Sequence, residues 1–142
     1  MLADPAFRER VCAAMDTVSH DVTVDPTETG VVVRIEMVQR THGVPGFAKK
    51  LVGDETRIIQ TERWTAGQGT DLEVEIPGKP GHIRGRVTLA ANAAGAVESF
   101  DGEAKVNIPL VGGRLEGLIE GLFLDGMNTE QRVGTEWLAG AR

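Results

Sequence analysis

The spacing of apolar and polar residues along this chain changes twice, and the changes mark its elements. Asp4-Pro5 opens a helix, with a side chain able to cap followed by a proline whose fixed φ suits the first turn. Phe7, Val11 and Met15 then recur at helical spacing. Val22 and Val24 alternate with polar neighbours, Asp25-Pro26-Thr27-Glu28-Thr29-Gly30 is a turn, and Val31, Val33, Ile35 and Met37 alternate again. Those two runs predict a hairpin. Between Val44 and Gly53, Pro45 at the start, Phe47 and Leu51 four apart and Gly53 beyond the end predict a short amphipathic helix.

From residue 55 the period is two, and alternation with Gly/Pro punctuation predicts strands at 55–64, 70–76, 82–90 and 96–108. In the last of these, Phe100, Gly102, Ala104, Val106 and Ile108 share one parity while Val97 has the other. A bulge near Glu98-Ser99 is expected to reconcile them. After Pro109 the period becomes 3.6. Leu115, Leu118, Ile119, Leu122, Phe123, Val133, Trp137 and Leu138 form one stripe of a long helix, with Gly126 and Asn128 as candidate kinks. With no repeat, linker or low-complexity tract, residues 1–142 read as one α+β domain, a curved antiparallel sheet wrapped around the C-terminal helix.

Charges narrow the register. Leu72, Val74 and Ile76 alternate with Glu73 and Glu75, and Ile83, Gly85, Val87 and Leu89 alternate with Arg84 and Arg86. Placing Ile76 opposite Ile83 sets Glu75 against Arg84 and Glu73 against Arg86; a slip of one residue would bury the charges. By the same logic Trp64 lies opposite Leu72 and Arg63 faces Glu73 on the solvent side. Gln60 and Glu62 then share the concave face with Trp64, Val74 and Ile76. An inward carboxylate is the kind of exception that marks a site.

Composition mostly excludes. A net charge of −6, with basic residues scattered among more numerous acids, argues against a nucleic-acid surface. Aromatics are 4% with no Tyr, so aliphatic side chains must fill the interior. Cys12 stands alone, which rules out an internal disulfide and fits a reducing compartment. No run is long enough to span a membrane and no secretory signal is visible, so the expected location is cytoplasmic. His20, His42 and His82 lack metal-ligand spacing, and neither a metal nor a cofactor is expected. Gly112-Gly113 lacks the Gly-Lys-Ser/Thr ending of a phosphate loop. Gly113, Gly117 and Gly121 form a small-residue stripe that serves either close packing on the sheet or added ligand volume. Phe47, Lys49, Lys50 and Leu51 in the short helix are a candidate lid, with a plug at the end of the sheet as the plainer alternative.

A curved antiparallel sheet followed by one long helix resembles the helix-grip fold of the START and birch-pollen-allergen superfamily. Within it, the chain resembles a largely actinobacterial family, domain of unknown function 2505. The resemblance is carried by Pro45-Gly46-Phe47-Ala48-Lys49-Lys50-Leu51-Val52-Gly53, Thr61-Glu62-Arg63-Trp64, Val74-Glu75-Ile76-Pro77-Gly78, Ile108-Pro109-Leu110-Val111-Gly112-Gly113-Arg114-Leu115-Glu116, Glu130-Gln131-Arg132 and Glu136-Trp137-Leu138. Members of that family resemble a chain that begins with an edge strand and a first helix. Here Asp4-Pro5-Ala6-Phe7 already resembles the second helix, so the chain is expected to lack both.

The resemblance implies a hydrophobic cavity between sheet and helix but no particular chemistry. The expected lining is Gln60, Glu62, Trp64, Val74, Phe100, Leu118, Leu122 and Phe123, around an apolar or amphipathic small molecule or lipid. A non-enzymatic binding protein is the favoured reading. A polyketide-cyclase-like enzyme using Glu62 would need a second polar residue converging on it, and none is nominated. A ligand-free interaction module would have a filled core. Without an N-terminal strand, strand 96–108 is expected to be a free edge guarded by Asp101, Glu103 and Lys105, and a homodimer through it is a candidate assembly.

Overall fold

The computed structural model describes residues 1–67 and 69–142. Helix α1 (Pro5–Ala14) is followed by strands β1 (Ser19–Pro26) and β2 (Gly30–Arg40), and then by α2 (Gly46–Val52). Strands β3 (Glu55–Thr65), β4 (Gly69–Glu75), β5 (Gly81–Asn92) and β6 (Gly95–Val106) lead into the long helix α3 (Gly112–Leu138). The six strands pair in sequence order, β1 to β6, and every pairing is antiparallel. The expected α+β architecture is therefore present, and β6 is an edge of the sheet.

Local chemistry explains the boundaries. Asp4 caps α1, its Oδ1 accepting from the Ala6 amide at 3.0 Å, and Pro5 occupies the first turn. Gly53 closes α2 with φ 82°, where a side chain would strain. Helix α3 runs 27 residues without interruption, so Gly126 and Asn128 do not break it.

Parity of the sheet agrees with the alternation of the sequence, but two registers are offset by two residues. Ile83 pairs with Val74 rather than Ile76, so Arg84 faces Glu73 and Arg86 faces Asp71. Both contacts close as ion pairs at 2.7 Å. The turn through Pro77–Pro80 is tighter than expected, with the Lys79 amide donating to the Ile76 carbonyl at 3.0 Å. Trp64 pairs with Thr70, Glu62 with Leu72 and Arg63 with Asp71, because Thr65 already meets Gly69 across a short turn that holds Gly67 at φ 72°. The expected Arg63–Glu73 pair is thus replaced by Arg63 beside Asp71.

The bulge at Glu98-Ser99 is absent. Pairing of β5 with β6 runs unbroken from Asn92↔Gly95 to Gly81↔Val106, fixed by a two-residue turn at Ala93-Ala94 whose Ala94 amide donates to Asn92 Oδ1 at 2.8 Å. Glu98 consequently keeps the parity of Phe100 and the concave face, and Val97 takes the opposite parity and is exposed.

The sheet and helices meet in four apolar clusters. Phe7 and Val11 of α1 pack on Val133 and Trp137 of α3, the Phe7 and Trp137 rings meeting edge-on at 5.6 Å. Cys12 on the adjoining face packs on Val33, Ile35 and Met37 of β2. A third cluster lies on β4 and β5, with Leu72, Val74, Ile83 and Val87 at its centre. Ala48 of α2 packs with Val106 and Leu115 where β6 turns into α3. Phe100 docks the middle of α3. Its ring lies over the Gly85↔Gly102 pair, which leaves room for it, and stacks on Phe123 at 4.8 Å.

The glycine stripe has neither expected purpose. A Cβ added at Gly113, Gly117 or Gly121 would meet nothing within 4 Å. On the helical wheel these positions oppose Leu115, Ile119, Val133 and Trp137, so they face away from the sheet and the cavity. No packing neighbour accounts for them.

Candidate functional site

Helix α3 stands off the concave face and leaves a partly open cavity of about 910 Å³ between them. Its walls are largely aliphatic: Ile58, Val74 and Ile83 from the sheet, and Leu115, Leu118 and Ile119 from α3. Of the residues expected to line it, Gln60, Glu62, Val74, Leu118, Leu122 and Phe123 do so. Trp64 and Phe100 are on the concave face but pack into the clusters behind the cavity wall. Several lining residues are incompletely covered by protein; Leu122 keeps 52% of its surface uncovered.

At the Thr56 end of β3, the wall is completed by Val44 and by Ala48, Leu51 and Val52 of α2. Of the candidate lid residues, Leu51 lines the cavity. Phe47 sits under the Arg114 guanidinium at 4.4 Å from its ring centre, and Lys49 is exposed and paired with Asp54 at 3.0 Å. Lys50 is exposed.

Toward the opposite end of β3 the cavity becomes polar, around a residue the sequence did not nominate. Arg8 is 1% exposed and reaches from α1 between β3 and α3. Its Nη2 donates to Glu62 Oε2 at 2.5 Å, its Nη1 to Glu130 Oε1 at 3.1 Å, and its Nε to the Leu2 carbonyl at 2.6 Å. Glu62, itself 2% exposed, also accepts from Gln60 Nε2 on Oε1 and from Trp64 Nε1 on Oε2, both at 2.8 Å. Every oxygen of Glu62 is therefore engaged, which makes it a structural acceptor rather than a free base.

Two further carboxylates complete the cluster. Burial holds the Glu130 carboxyl above its ordinary value, opposed by Arg8 and reinforced by the Glu62 charge. Glu98 lines the cavity from β6 and is itself exposed. The protein around it nonetheless pushes its pKa up to about 7, first by desolvation and then by the Glu130 charge. Nearby Cys12 is buried, and desolvation raises its thiol to about 11, so it is a packing residue and not a nucleophile. Among the described residues, no three His, Cys, Asp or Glu side chains are arranged to hold a metal ion. No described helix is long and apolar enough to cross a membrane.

A family model described as a protein of unknown function (DUF2505) matches residues 1–138. The chain belongs to that family. No curated protein and no solved structure matches it. Within this DUF2505 chain, the signal for Arg8 was available in the sequence. Arg8 shares a helical face with Val11, Cys12 and Met15, and Glu130 shares one with Val133 and Trp137. A lone charge on a buried stripe requires a partner, and here the two partner each other.

Proposed function

We propose that this chain binds an apolar or amphipathic small molecule between its sheet and α3. The observation carrying this reading is the cavity of about 910 Å³, whose aliphatic wall is left partly uncovered while one end bears a charged, hydrogen-bonded cluster. Apolar volume with a few convergent polar groups is the usual form of a small-molecule site. A filled-core interaction module would have no such space. Titration with a neutral solvatochromic probe tests the reading. The native chain binds the probe with a blue shift, and Leu118→Trp, which puts bulk into the cavity wall, abolishes binding while the fold persists. Undiminished binding in Leu118→Trp places the probe elsewhere and removes the support.

One observation favours a second reading, acid–base catalysis on the bound molecule. Glu98 faces the cavity with a pKa of about 7, a value suited to proton transfer at neutral pH. Glu62, with both oxygens engaged, is not the residue that would act. Recovery of a co-purified molecule in two proton-isomeric forms that interconvert only in the presence of the native chain would select this reading over simple binding.

A further inference from the structure

The polar end of the cavity holds more acid than base. Glu62 and Glu130 bind Arg8, the one cation among the described residues of this cluster, and Glu98 lies within electrostatic reach of all three. Arg8 is engaged on all three nitrogens, by Glu62, Glu130 and the Leu2 carbonyl, and is 1% exposed. An incoming carboxylate or phosphate would find only the two remaining N–H groups of Arg8, on the same nitrogens that bind Glu62 and Glu130, and would sit beside those carboxylates. Glu62 already accepts three hydrogen bonds, from Arg8 and Trp64 on Oε2 and from Gln60 on Oε1. Glu98 is different. It lies on the cavity wall, within electrostatic reach of Arg8, Glu62 and Glu130, and accepts no hydrogen bond from any described residue.

Resting on the binding reading above, we infer that the cavity prefers amphiphiles whose head group is a protonated amine over those headed by a carboxylate, with Glu98 receiving the head. An ammonium supplies the donors that Glu98 lacks and offsets the excess negative charge of the cluster. The aliphatic wall holds the chain. Both causes that hold Glu98 and Glu130 above the ordinary carboxyl range, burial and a neighbouring carboxylate, are relieved by a cation and aggravated by an anion.

Displacement of a neutral solvatochromic probe from the full chain at pH 7.5 tests this. The displacers are dodecylamine, dodecanol and dodecanoic acid, each below its solubility or micellar limit, with butylamine as the head without the chain. Dodecylamine is expected to displace the probe at a concentration at least about tenfold below dodecanoic acid, with dodecanol between them and butylamine inactive. In Glu98→Gln the amine-over-acid ratio falls by about tenfold, while Glu103→Gln on the outer face of β6 leaves it unchanged. Equal or better displacement by dodecanoic acid overturns the inference and leaves the binding reading standing. An unchanged ratio in Glu98→Gln overturns the assignment of Glu98. If the probe itself does not bind, the binding reading fails and this inference fails with it.

Discussion

Replacing Arg8 by Met removes the one cation from a cluster that three elements share. Arg8 and Glu62 side chains are 1% and 3% exposed, and Glu130 is 18% exposed, so the loss is felt in a largely desolvated place. Breaking a buried pair by deleting one partner costs about 3–5 kcal/mol, because the other charge is left uncompensated. Glu62 keeps the bonds from Gln60 and Trp64, which places Arg8→Met at about 3 kcal/mol, the low end of that range. In a chain of this size that is a fall in Tm of roughly 10 °C. Thermal melts and urea titrations at pH 7.5 measure it directly. Two companion readouts separate charge from packing. Adding Glu62→Gln and Glu130→Gln to Arg8→Met restores most of the loss, because no buried charge then lacks a partner. The Arg8→Met deficit also shrinks as pH falls toward 5.5, since Arg8 is the group that lowers the Glu130 pKa and its removal raises it further. A folded carboxyl with a raised pKa favours the native state at low pH and loses that contribution as pH rises. A single variant within about 1 kcal/mol of the native chain, with no pH dependence, would mean that Arg8 is hydrated and the buried cluster does not exist.

Other outcomes follow from the same geometry. Because the Glu98 pKa is raised to about 7 from 4.5 and Glu130 is raised as well, the contribution of these two groups to stability is complete below about 4.5 and is lost as pH rises toward neutral. Melts at pH 5.5 and 7.5 should show the higher Tm at 5.5, with a smaller difference in Glu98→Gln. Gly102→Ala should destabilise by about 1–3 kcal/mol in a urea titration. Its Cβ would fall 2.4 Å from the Phe100 ring and 2.5 Å from the Arg84 carbonyl. Gly117→Ala and Gly121→Ala should each stabilise by about 0.5–1 kcal/mol, since nothing lies within 4 Å of the added carbon and α3 loses chain entropy to fix. Cys12 should react with a disulfide reagent at pH 8 only at the rate of unfolding, since its thiol is buried and its pKa is about 11.

The sequence and the structure agree wherever a period decides the answer. Alternation and cross-strand charge matching assign faces, so Glu62, Gln60 and Val74 fall on the concave side even though the assumed pairing of Trp64 with Leu72 is off by two residues. Turn length is not carried by a period of two. The tight turns after Ile76 and Thr65 therefore move two registers by two residues while leaving every face unchanged. Glu98 was lost for the opposite reason. The outward Val97 suggested a bulge, whereas the sheet simply exposes Val97 at 49% and keeps Glu98 inward. Arg8 and Glu130 were legible as charges on apolar stripes. Their meeting was not, because they are separated by 122 residues and only the docking of α1 on α3 brings them together. The cavity itself depends on how far α3 stands from the sheet, a distance that no local pattern encodes.

Native mass spectrometry of the chain purified from its own cells tests the central claim most directly. The account predicts a population heavier than the polypeptide by the mass of a small molecule, which is lost on mild activation and is absent in Leu118→Trp. A bare polypeptide mass for the native chain, together with no adduct after incubation with dodecylamine, dodecanol or dodecanoic acid, would contradict it.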